Sequence, residues 1–190
     1  ISYLTAIFLP FLVIQNIINT PAKQRMLMLM LIACTMVMIN DGIAQKASET
    51  GVGWSGAALS EKTRITYLGI FNDPNDLAMF FVMTLPFTFY FFNHIKSAAR
   101  FLFLILSGFL LQGIYLTNSR GALLGTMSQL ALLFYFKYGL KKCIFLGALA
   151  GPVALVVMSK FRAIDSEEAS AEGRLESWDE GSHLLFSKPV

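Results

Sequence analysis

Charge is what this sequence has least of. Asp, Glu, Lys and Arg make up 14% of the 190 residues and hydrophobic residues 55%, whereas a soluble domain carries about 25% charged residues. With a mean hydropathy of +0.60, that deficit excludes a water-soluble globular domain and marks a membrane protein. The two cysteines, Cys34 and Cys143, both lie in apolar runs. They cannot build a disulfide framework or a thiolate metal site, and read as small core or lipid-facing residues. Two histidines leave no zinc spacing, and neither a phosphate-binding glycine loop nor a nucleophile elbow is present. Nucleic-acid binding has no support, because the net charge of +3 is sorted by side of the membrane. The chain lacks an initiator methionine, opens inside an apolar run at Ile1 and stops after Lys188-Pro189-Val190. We expect an internal piece of a longer protein, with any targeting signal upstream.

What is present is a series of apolar runs. Six can be marked, at about 2–19, 26–40, 77–93, 101–117, 122–136 and 143–159. Several are near the short end of the roughly 17–25 residues a spanning helix needs. The expected fold is all-α: a polytopic transmembrane helical bundle of about six spans over residues 1–160, with 161–190 as the start of an outward-facing loop. Pro86, within the third run, predicts a kink.

Orientation follows from the loops. Those at 21–25, 94–100 and 137–142 hold Lys23, Arg25, Lys96, Arg100, Lys137, Lys141 and Lys142 and no acid, whereas all twelve acids fall in 41–76 and 160–190. The two sets alternate along the chain, as successive spans require. By the positive-inside rule the short basic loops are cytoplasmic and the long acidic ones face outward.

Three arginine-bearing motifs then share the outer face. The first runs from Arg64 through Asn72-Asp73-Pro74-Asn75-Asp76, directly before the third run. Asp73 followed by Pro74 is a helix start, since the carboxylate caps free N–H groups and proline suits the first helical position. Asp76 falls in the first turn, where the helix dipole favours negative charge. Asp73 and Asp76 are three apart, a spacing also used to hold a divalent cation on pyrophosphate, but no third carboxylate is near in sequence. We expect no metal.

The second motif is Asn118-Ser119-Arg120-Gly121, a tight turn between two runs. Ser119 can cap the helix that follows. Arg120 opposes that helix's dipole, so it serves either a ligand or, by snorkelling, lipid head-groups. Gly121 and Gly125, four apart, allow close approach to a neighbouring helix. In the third motif, Gly173 to Trp178, Arg174 and Trp178 share a face if the tail is helical. Glu167, Glu168 and Glu172 read as a solvated face, and His183, the only outward histidine, as a solvated side chain.

Arginines gathered at the outer end of a helical bundle suit an anionic ligand, because guanidinium groups grip phosphate oxygens in pairs and stay charged at any working pH. A polyprenyl pyrophosphate bearing sugars is such a ligand. Nearby carboxylates and amides can hold hydroxyls or take a proton from an attacking sugar, while the arginines stabilise the departing pyrophosphate.

The residues that carry this reading also carry a resemblance. Arg64 with Gly69-Ile70-Phe71-Asn72-Asp73-Pro74-Asn75-Asp76, then Leu116-Thr117-Asn118-Ser119-Arg120-Gly121-Ala122, then Gly173-Arg174 with Trp178 and Pro189, resemble the motifs of the O-antigen ligase and polymerase superfamily. Order, spacing and side of the membrane agree from about residue 64 onward. The resemblance implies a multi-pass glycosyltransferase of the bacterial inner membrane, with its active face periplasmic. It would move glycan from an undecaprenyl-pyrophosphate carrier to lipid A core or growing polysaccharide, without cofactor or nucleotide sugar. It implies that Arg64 and Arg120 bind the donor pyrophosphate, and we group Arg174 with them. Asn75, Ser119 and Trp178 are expected to support them, with Asp73 and Asp76 as the candidate catalytic carboxylates.

Family members continue past the position of Pro189 into a glycine-rich turn and a histidine-bearing segment assigned to catalysis. This chain ends first, so by itself it is expected to be inactive. Ligase, polymerase and protein-glycosylating ligase differ only in acceptor and are not separated by these residues. The rival class is a transporter or flippase for the lipid-linked sugar. Transporters place charges near the membrane midplane, and none of the six marked runs contains Lys, Arg, Asp or Glu.

Overall fold

The computed structural model describes residues 8, 11, 12, 15–142, 176–183 and 187. The runs expected at 143–159 and over most of 2–19 lie outside them. Two compact units divide the chain, residues 1–132 and 133–190. The described residues are helical, with two isolated β-bridges and no strand. In order they form α1 (Pro21–Ala47), a 3-10 turn (Gly69–Asn72), α2 (Pro74–His94), α3 (Arg100–Thr117) and α4 (Arg120–Tyr138).

Each helix begins and ends for a local reason. Thr20 caps α1 by accepting from the Lys23 N–H at 3.4 Å, with Pro21 in the first position. Asp73 does the same for α2, accepting from the Asn75 N–H at 2.7 Å with Pro74 following. At the end of α3, Asn118 takes a left-handed conformation (φ 53°) and returns its N–H to the Tyr115 carbonyl, a backbone state that asparagine tolerates better than most residues. Pro86 lies inside α2 without ending it.

α1, α2 and α3 are each long and apolar enough to cross a membrane. α4 covers the run expected at 122–136 but does not reach that apolarity, with Ser128 and Gln129 interrupting its middle. The largest departure is in α1. The apolar run at 26–40 predicts an end before Asp41, yet the helix continues to Ala47 and buries Asp41 and Gln45 completely. Both side chains find partners inside the fold, which removes the penalty that makes buried polar groups rare.

The core lies where α1, α2 and α3 meet, around Ile39, Leu77, Phe81, Leu85, Leu110 and Ile114. Gly113 lets α3 approach α1 and α2 closely, because a Cβ there would meet Ile39 Cγ1 at 2.7 Å and Phe81 at 3.1 Å. Ile65, from the long loop between α1 and α2, is fully buried in the same cluster, so that loop folds down onto the bundle. Buried hydroxyls are satisfied within their own helices: Thr35 donates to Ile32, Thr84 to Phe80, Thr88 to Leu85 and Thr126 to Ala122, each through the backbone carbonyl. That is the economy expected where water is scarce. The Gly121–Gly125 pair does not mediate close packing among the described residues. Gly121 faces open space and Gly125 has only Val82 within 3.6 Å.

Candidate functional site

The site is the junction of the loop before α2 with the α3–α4 turn. In the loop, Ser60 and Arg64 exchange backbone hydrogen bonds of 2.8 and 2.9 Å around a turn in which Glu61 (φ 50°) and Lys62 (φ 61°) both adopt left-handed backbone. For residues other than glycine that conformation costs about 1–2 kcal/mol each, and it persists because both flanks are fixed. On one side Lys46 Nζ donates to the Thr63 carbonyl. On the other, the Gln45 amide pairs with Thr66 in both directions, Nε2 to the carbonyl at 2.8 Å and the Thr66 N–H to Oε1 at 3.2 Å.

This frame delivers Arg64 to the ends of three helices. Its Nε donates to the Thr117 carbonyl at 3.0 Å and the neighbouring Ile65 N–H to the Leu116 carbonyl at 3.3 Å. Two carbonyls left over by the last turn of α3 are thereby satisfied, at the negative end of its dipole. Arg64 Nη2 donates to Asn75 Oδ1 at 2.9 Å. The Ser119 hydroxyl donates to the same oxygen at 2.9 Å while accepting the Ala122 N–H at 3.4 Å as the expected cap of α4. Asn75 is thus the hinge between α2 and α4, and its two donors fix the amide orientation, so that Nδ2 points away from both.

Electrostatically, both oxygens that hold Arg64 belong to neutral groups, a backbone carbonyl and an amide. The half-buried guanidinium has no carboxylate partner among the described residues, and its Nη1 edge is unused there. The N-termini of α2 and α4 lie beside it, and helix N-termini favour anions.

Of the residues singled out in sequence, Arg64, Asn75 and Ser119 form one hydrogen-bonded group. Arg120 follows Ser119 as the half-buried first residue of α4. Asp73 uses a carboxylate oxygen for the α2 cap, and Asp76 is exposed in the first turn. Arg174 lies outside the described residues, so its expected alignment with Trp178 does too. Trp178 and His183 are exposed on the helical stretch 176–183. No three His, Cys, Asp or Glu side chains among the described residues are grouped to hold a metal.

Sequence reading missed Asp41 and Gln45. Asp41 accepts from the Ser55 N–H (2.8 Å), the Ser55 hydroxyl (2.7 Å) and Gln45 Nε2 (2.9 Å). It therefore ties α1 to the loop and fixes the amide that holds Thr66, two residues after Arg64. The four-residue spacing of Asp41 and Gln45, one helical turn, was the available signal. The pair also places a buried carboxylate on α1, one residue past the apolar run at 26–40.

Fold and site together define a helical bundle with three membrane-spanning candidates and a cationic group fixed at one end. No family model matches the chain, and no curated protein or solved structure is significantly similar to it.

Proposed function

We propose that this chain is part of a bacterial inner-membrane glycosyltransferase of the O-antigen ligase and polymerase type. It would bind an undecaprenyl-pyrophosphate-linked glycan at the end of the bundle that holds Arg64, on the periplasmic side, within a bundle of about six spans. The observation that carries the reading is Arg64 itself. It is clamped by Thr117 and Asn75 without charge compensation among the described residues, at the point where two of the three arginine motifs meet. A fixed cation with an open edge suits the doubly charged pyrophosphate better than a mobile lysine would.

The chemistry that fits is displacement at the anomeric carbon. An acceptor hydroxyl forms the new C–O bond, the bond from that carbon to the pyrophosphate oxygen breaks, and the carrier leaves as its pyrophosphate. Arg64, with Arg120 beside the turn and Arg174 from the tail, would stabilise the charge that grows on the leaving group. Asp76 is the better placed of the two carboxylates to hold an acceptor hydroxyl, since Asp73 is occupied as a cap. The hydroxyl proton passes to a general base as the new bond forms.

Buried Asp41 favours a second reading, because an ionisable group inside a spanning helix is a mark of ion-coupled transporters. Its position is against it. Asp41 is 20 residues past Pro21, about 30 Å along the helix, so it lies near the far surface of the membrane and not at the midplane. Surface glycan from cells lacking the full-length gene separates the readings. Single repeats on lipid A core indicate a polymerase. Bare core, with glycan stranded on its carrier outside the cytoplasm, indicates a ligase. Stranding on the cytoplasmic side would overturn the enzyme reading in favour of transport.

A further inference from the structure

The loop between α1 and α2 contains a stretch, Gly51 to Leu59, without one charged residue, flanked by Glu49 on one side and Glu61-Lys62 on the other. Its residues alternate. Gly51, Gly53, Ser55 and Ala57 are buried or half-buried, all small, whereas Val52, Trp54, Gly56 and Ala58 are exposed. The inward side is held tightly: a Cβ on Gly53 would collide with Asp41 Oδ1, and Ser55 gives Asp41 both its N–H and its hydroxyl. A loop facing water would place polar side chains outward. This one presents an indole, 58% exposed, from a turn clamped on either side of it.

Its depth follows from α1. Pro21 begins the helix beside Lys23 and Arg25, which mark one membrane surface. Asp41, 16 residues past Arg25, is about 24 Å away, most of the roughly 30 Å thickness of the hydrocarbon core. The turn clamped to Asp41 therefore sits at the opposite hydrocarbon boundary, although the helix itself continues to Ala47. Its backbone is equipped for a layer poor in water. The N–H groups of Gly51, Gly53, Ser55, Gly56, Ala57 and Leu59 all have partners within the loop or on Asp41, and the Ala58 carbonyl accepts from the Thr66 hydroxyl at 2.7 Å. The N–H groups of Val52, Trp54 and Ala58, on the exposed side, have no partner among the described residues, which the hydrated head-group layer tolerates and the hydrocarbon core does not.

We propose that residues 51–59 lie in the head-group layer of the bilayer as a shallow re-entrant turn, with Trp54 as the anchor that contacts lipid. Tryptophan is enriched at that depth because its ring is apolar and its N–H polar. The inference rests on the chain crossing the membrane and not on the activity proposed above. Its consequence is mechanical: Arg64 lies five residues past Leu59 in the same loop, so the anchored turn sets the height of the guanidinium at the membrane surface.

The test is tryptophan fluorescence of the chain in lipid nanodiscs. Trp178→Phe leaves Trp54 as the only indole, and Trp54→Phe supplies the complementary difference should either variant fold poorly. We expect Trp54 to be quenched more by lipids brominated next to the head-group than by lipids brominated at the chain ends, and several-fold less by acrylamide than free tryptophan is. Adding Asp41→Asn should raise acrylamide quenching by loosening Ser55, and unchanged quenching would contradict the clamp. Acrylamide quenching equal to that of free tryptophan, with no effect of either lipid, would overturn the proposal and leave the indole open to a glycan or protein partner. Stronger quenching from the chain ends would overturn it as well, by placing the turn in the hydrocarbon core.

Discussion

Arg64 and Ser119, 55 positions apart in the chain, donate to one oxygen, Oδ1 of Asn75, at 2.9 Å each. That shared acceptor joins the loop, the start of α2 and the start of α4, and makes Asn75 the residue on which the site's geometry depends most.

Asn75→Asp therefore separates structure from function. The aspartate keeps both hydrogen bonds and adds a negative charge to the first turn of α2, so thermal stability should hold or rise. The same charge neutralises Arg64, so glycan transfer by the full-length protein should fall about tenfold or more, the effect of roughly 1.4 kcal/mol. Asn75→Ala should instead lower the melting temperature, because it leaves partly buried donors unpaired at about 1–3 kcal/mol. Transfer at the unaltered rate in the aspartate variant would remove Arg64 from the mechanism.

Replacing Arg64 or Arg120 by lysine keeps the charge and removes the planar fork. Arg64→Lys cannot reach the Thr117 carbonyl and Asn75 together and still offer a free edge. We expect transfer to drop on the order of tenfold to a hundredfold in either variant, with KM for the lipid-linked donor raised. Unaltered kinetics for Arg120→Lys would reduce that residue to a lipid anchor.

The Asp41 network should dominate the stability of this end of the bundle. Asp41→Leu strands the Ser55 N–H and hydroxyl and one N–H of the Gln45 amide, which stays bonded to Thr66, and we expect this to cost about 3 kcal/mol or more. Gly113→Ala, where the added Cβ meets Ile39 and Phe81, should cost about 1–3 kcal/mol. Both are measurable by thermal unfolding in detergent, and Gly121→Ala, facing open space, is the neutral control.

Sidedness is testable with single cysteines, in a background with Cys34 and Cys143 replaced by alanine. Ser119 is the wrong probe for the α3–α4 turn, being 3% exposed and bonded to Asn75. Glu49 and Ser97 are exposed on opposite sides of the expected topology. Glu49→Cys should react with a membrane-impermeant thiol reagent in spheroplasts and Ser97→Cys should not. The opposite pattern would invert the topology.

How much of this was legible in the sequence depends on how local the signal is. The Asp73-Pro74 start of α2 and the Ser119 cap of α4 are written within a few residues, and both are present as read. Arg64 also meets Asn75 and Ser119, residues that the sequence grouped only through the expected side of the membrane, while Arg174 of the third motif lies outside the described residues. The end of α1 was missed because an acid after an apolar run reads as a loop. What keeps the helix going through Asp41 is Ser55, 14 residues away, a partner no local pattern names. For the same reason the glycine pair of α4 suggested close packing that its neighbours among the described residues do not supply.

The central claim is that Arg64 holds a lipid pyrophosphate, and native mass spectrometry of the full-length protein with undecaprenyl pyrophosphate tests it most directly. The account predicts a bound lipid on the wild-type protein that is lost or strongly depleted in Arg64→Ala, provided that variant still unfolds cooperatively. Undecaprenyl monophosphate should bind more weakly. Equal retention by wild type and Arg64→Ala, or no preference for pyrophosphate over monophosphate, would contradict it.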